Sequence, residues 1–111
     1  MFEKKLQEVV EELTSTKEFS ALMQTKRKVE ENPELKRRVD KFLEDSERLL
    51  RQSSNGPDSR SEEMTKRFTE MVKIAEVAAY FKAGHDFENM VMGLYQSLEN
   101  QIAKAVGKKG L

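Results

Sequence analysis

Few side chains in this chain could do covalent or metal chemistry, and those few are isolated. His85 is the one histidine, and cysteine is absent. Thiolate catalysis, disulfides, Cys-bound zinc and iron–sulfur clusters held by the chain's own thiolates are therefore excluded. In His85-Asp86-Phe87-Glu88 the imidazole stands among acids. A helical di-iron site needs Glu-x-x-His, but Lys82 lies three residues before His85. The zinc-protease pattern His-Glu-x-x-His is also missing, so this stretch reads as solvated surface. Ser46 has no Gly-x-Ser-x-Gly elbow around it. Asn55-Gly56-Pro57 lacks the lysine and the glycines of a phosphate loop. No catalytic, cofactor-binding or metal-binding residue is assigned, and the chain is expected not to be an enzyme.

Cations offer the other candidate chemistry. Lys26, Arg27 and Lys28 form one cluster and Lys36, Arg37 and Arg38 another, on either side of Asn32-Pro33. On a common face they could grip a phosphate backbone. Glu30, Glu31, Glu34 and Asp40 are interleaved with them, and no aromatic platform lies between. Lys and Arg number 20, as do Asp and Glu, which argues against a protein built to coat nucleic acid. The clusters are expected to be solvated or to face a protein. An RNA-associated accessory role through 26–28 and 36–38 is the alternative.

These residues must be carried by helices. Ala, Glu, Lys, Leu and Arg make up close to half of the 111 residues, the composition of long helices. Apolar residues recur every three or four positions, and no period-two alternation appears. Helix one is predicted over about 2–13, with Phe2, Leu6, Val9, Val10 and Leu13 on one face. Ser15 and Glu18 have capping-box spacing for a second helix over about 16–31, unless that segment continues helix one after a kink. Asn32-Pro33-Glu34 combines a preferred N-cap, a proline suited to the first helical position and a dipole-favoured acid. Helix three follows over about 33–53, with Leu35, Val39, Phe42, Ser46 and Leu49 inward. On its outer face Glu34/Arg38, Glu44/Arg48 and Glu47/Arg51 are spaced for i,i+4 pairs. Residues 54–61 read as a polar loop, with Ser59 and Glu62 at capping-box spacing, and 108–111 as a frayed tail.

Between 62 and 107 there is no proline, and Gly107 is a sensible stop. One straight helix over 62–106 would measure roughly 65–70 Å, against a radius of gyration of about 13 Å for a domain of this size. Either the helix breaks near 73–77, where the apolar phase switches, or a partner covers the overhang. The apolar stripe is also wide. Tyr80, Phe81, Gly84 and Phe87 occupy its first half, and Val91, Met92, Leu94, Tyr95 and Leu98 its second. Gly84, on the inward side, suggests close approach of another helix. Leaving five or six large side chains exposed would cost about 1.5–3 kcal/mol each. These nine residues are therefore the expected interface. The expected fold is all-α: a long-helix hairpin or bundle of three to five helices in a single domain, 1–53 before the loop and 62–107 after it, forming a homodimer. The N-terminus lacks the unbroken apolar run of a signal peptide, and no window approaches a membrane span. A cytoplasmic location is expected.

Glu18-Phe19-x-x-Leu22-x-x-x-Lys26, Asn32-Pro33-Glu34-Leu35-x-x-x-Val39-x-x-Phe42 and Val77-x-x-Tyr80-x-x-Ala83 follow one another in order, with Phe87, Val91, Leu94, Leu98 and Ile102 after them. This series resembles the YlbF/YmcA/YheA family of small helical bacterial proteins over nearly the whole chain. Glu18-Phe19-Ser20-Ala21-Leu22-Met23 is also faintly echoed by Glu76-Val77-Ala78-Ala79-Tyr80-Phe81. The resemblance implies an all-helical dimer that is a regulator or accessory protein. Its YlbF and YmcA branches act with a third protein, YaaT, in competence, sporulation and biofilm control, with links to RNA processing. Those members carry cysteines linked to iron–sulfur clusters. This chain has none, which points to the less characterised YheA-like branch. The partners so implied are a second copy and another protein of a regulatory complex.

Overall fold

A computed structural model of the chain describes residues 1–52 and 59–108. Five helices follow in order: α1 (Glu3–Leu13), α2 (Lys17–Glu30), α3 (Pro33–Gln52), α4 (Ser59–Met71) and α5 (Ala75–Lys108). Among the described residues there is no strand. The predicted loop lies outside the described residues except at its end, where α4 already begins at Ser59. The side chains of the Ser59 capping box lie outside them too, as do 109–111 of the predicted tail. α5 runs through Gly107 to Lys108.

Local chemistry sets these boundaries. Asn32 Oδ1 accepts the Leu35 N–H at 3.2 Å, capping α3 ahead of Pro33. At the start of α2 the cap is Thr16, not Ser15. Thr16 Oγ1 accepts the Phe19 N–H at 3.2 Å, while the Ser15 hydroxyl donates to the Glu11 carbonyl at 2.8 Å and closes α1. Thr16 also donates to the Leu13 carbonyl at 2.7 Å, so the bond accepted from α2 is what marks the cap, and Phe19 takes the position a capping box reserves for Glu or Gln.

The break between α4 and α5 falls at 72–74, without glycine or proline. On an uninterrupted helix Met71 and Val77 would point about 120° apart. The break lets both side chains enter one core, where Met71 is 6% exposed and Val77 fully buried. Its hydrogen bonding repeats that of the α1–α2 break step for step. The amides of Thr14, Ser15, Thr16 and Ser20 donate to Val10, Glu12, Leu13 and Thr16. Those of Val72, Lys73, Ile74 and Ala78 donate to Phe68, Glu70, Met71 and Ile74 at the same spacings. The sequence echo is thus a structural one: a helix–break–helix module occurs twice.

The chain forms two compact units, Met23–Lys82 and the two ends, Met1–Leu22 with Ala83–Leu111. In the first, Val29, Leu35, Val39, Phe42, Met71 and Val77 form a core, with Met64, Ile74, Tyr80 and Phe81 packed against it. α3 lies against α4. Phe42 is its aromatic centre, 6.3 Å from the Phe68 ring and 5.9 Å from that of Phe81. In the second unit Ala83 is buried, and the rings of Phe19 and Phe87 stand 5.6 Å apart. A Cβ on Gly84 would lie 3.8 Å from Leu22 Cδ1, an ordinary contact. Packing within the chain therefore does not by itself require glycine there.

Candidate interaction surface

α5 is 34 residues long, about 50 Å, and its apolar side chains divide by position. Tyr80 and Phe81 pack on the core of the Met23–Lys82 unit, so their own chain provides much of their cover. Gly84, Phe87 and Val91 are half-buried. Beyond them the cover ends. Met92, Leu94, Tyr95 and Leu98 are 44–56% exposed, and Ile102 and Val106 continue the same face. Within one chain the nine expected interface residues thus differ in exposure. Four stand open, and Ile102 and Val106, outside those nine, extend them.

α1 was missed as a surface altogether. None of its residues is buried. Phe2, Leu6 and Val10 are 54–66% exposed, although they share the face that a helix normally turns inward. The periodicity was visible in the sequence, but not that this face would stay exposed.

The six residues of the basic clusters are all exposed, and two of them form local ion pairs. Lys36 Nζ donates to Asp40 at 2.7 Å, and this hydrogen bond raises the lysine above its ordinary pKa. Arg37 pairs with Glu34 at 3.9 Å, so Glu34 takes the residue three along rather than the expected Arg38. Glu44–Arg48 and Glu47–Arg51 form as spaced, at 3.4 and 3.9 Å. Such exposed pairs are screened by solvent and contribute little to stability. Arg38 borders an open groove between α3 and α4, where Lys41, Lys66 and Arg67 alternate with Glu63 and Glu70. Lys28 borders another, beside Glu31 and Glu76. Lys26 and Arg27 lie near the end of α2.

One ion pair is tertiary. Arg67 donates to Asp45 at 3.1 Å, and its guanidinium stands 5.6 Å over the Phe42 ring. Lys41 and Arg48 stand 3.6 and 3.7 Å from the same carboxylate. The hydrogen bond from Arg67, helped by these cations and opposed by desolvation, holds Asp45 below the usual aspartate range. The pair ties α4 to α3 and reads as structural.

Among the described residues no three metal-ligating side chains converge, and His85 is exposed. An iron–sulfur cluster does not fit this chain, because the sequence provides no thiolate. No described helix is long and apolar enough to cross a membrane.

Compared with known protein families, the chain matches, over residues 2–103, the family described as control of competence regulator ComK, YlbF/YmcA. Neither the curated proteins nor the solved structures give a match. The family match spans all of α1 to α4 and most of α5. With its Asn32-Pro33 corner and five helices in this order, the chain belongs to the YlbF/YmcA family of regulators of competence control.

Proposed function

We propose that the chain is a non-enzymatic cytoplasmic regulator that acts as an adaptor, joining a second copy of itself and another protein through apolar helix faces. The carrying observation is the outer half of α5, where Met92, Leu94, Tyr95 and Leu98 stand half in water. A contiguous apolar face of this kind marks an interaction site rather than a monomer's ordinary surface. The family supplies the process, control of the regulator ComK. Charged faces select among partners and steer their approach. RNA contact gains little support, since Lys36 and Arg37 each already face a carboxylate.

Two measurements test the proposal. Light scattering at micromolar concentration should give about twice the 12.9 kDa chain mass, and a monomer would remove self-association. In a bacterial host that carries ComK, deleting the chain should change expression from a ComK-dependent promoter. Met92→Glu with Tyr95→Glu, accumulating to the normal level, should reproduce that change. Unaltered expression after deletion would remove the regulatory role.

A further inference from the structure

The module that occurs twice is completed only once. By the shared hydrogen-bond register, Leu6, Val10 and Leu13 of α1 stand where Met64, Phe68 and Met71 stand in α4. The α4 set lies against α3: Met71 is buried, Met64 packs on the core, and Phe68, though 44% exposed, stands tilted 6.3 Å from the Phe42 ring. In the α1 set Leu6 and Val10 are 61% and 54% exposed. α1 lacks a helix in the role of α3. Outside the repeated module, the described residues show a further exposed apolar stripe, that of Leu94, Leu98, Ile102 and Val106, spaced by four. Within one chain the two faces leave each other exposed.

We infer that the missing helix comes from a second copy: α1 of one protomer lies against the 94–106 stripe of its partner's α5, and reciprocally. This rests on the self-association proposed above and specifies its surface. Size agrees, because the eleven residues of α1 and the stripe from 94 to 106 each span about 16–20 Å. Area agrees as well. Six side chains of the two faces, Leu6, Val10, Leu94, Leu98, Ile102 and Val106, are 40–61% exposed, and with the neighbouring Phe2, Met92 and Tyr95 their exposed area is of the order of the ~800 Å² that each partner contributes to a standard interface. Charge favours α1 against α5 over α1 against α1. α1 carries Glu3, Glu8, Glu11 and Glu12 against Lys4 and Lys5, whereas the end of α5 carries Lys104 and Lys108 against Glu99. The reciprocal arrangement is closed under two-fold symmetry and leaves no copy of either face open.

The test mixes two variants of the full chain, Leu6→Glu with Val10→Glu and Leu98→Lys with Ile102→Lys. All four positions are more than half exposed in the single chain. Each variant alone should dimerise more than about tenfold more weakly than the wild type. Mixed in equal amounts they should regain the dimer mass in light scattering, because one contact is then wild-type and the other pairs Glu with Lys. Recovery on mixing counts whether or not the separate variants keep their helical circular dichroism. Variants as dimeric as the wild type would overturn this surface while leaving self-association standing. Monomeric variants that stay monomeric when mixed would overturn the pairing of α1 with α5. A monomeric wild type would overturn self-association itself, and this inference with it.

Discussion

Asp45 shows how much depends on a single side chain. Its carboxylate is 17% exposed and accepts from Arg67, which also covers the Phe42 ring. A carboxylate whose pKa is lowered by folding stabilises the fold fully above the ordinary aspartate value of about 3.9, and that stabilisation is lost as pH falls through the lowered value. Asp45→Asn is therefore expected to lower the thermal midpoint at neutral pH, and the loss should shrink as pH falls below the ordinary aspartate range. Melting curves of wild type and variant at neutral pH and below that range check this, and an equal loss at both would mean that packing, not charge, is responsible. The pair could not be read from the sequence. Asp45 and Arg67 belong to different helices, with the undescribed segment 53–58 between them. The i,i+4 spacings Glu44/Arg48 and Glu47/Arg51 were legible because a helix alone brings those residues together.

At the scale of the element, boundaries were legible where one residue decides and obscure where several compete. Asn32-Pro33 has no rival, and α3 starts where the sequence predicts. Thr14-Ser15-Thr16 offers three hydroxyls, all of which donate to carbonyls of α1, and the cap is the one that also accepts an amide of α2. Thr16→Ala should cost about 1 kcal/mol through loss of the α2 cap, and Ser15→Ala distinctly less. Denaturant titrations of the two variants check the order, and the reverse result would restore Ser15 as the cap. The break at 72–74 carried only a faint signal, a shift in apolar phase, because no breaker residue marks it. Its cause is tertiary, since it lets Met71 and Val77 share one core. Amphipathic faces were readable from spacing throughout. Which of them the chain would cover was not, and α1 is the clearest case.

For the whole molecule, the prediction is a concentration-dependent stability. If the α1 and α5 faces meet in a second copy, association stabilises the folded state by mass action. The thermal midpoint should then rise as the protein is concentrated from roughly 1 to 100 μM, by several degrees for a chain of this size. Calorimetry or circular dichroism at the two concentrations checks it, and a constant midpoint would mean that the faces remain in water. The all-helical fold and the family were legible because both rest on ordered apolar spacing and a proline corner. The division into two units was not, since it depends on contacts between the chain's two ends.

That division orders the events of synthesis. The Met23–Lys82 core is drawn from one continuous stretch, so a nascent chain holds every residue of it once Lys82 has left the ribosome. Phe19 is translated early, but its ring partner Phe87 comes only later. The segment made first is thus among the last to settle, because Phe19 meets its ring partner only when the end of the chain arrives.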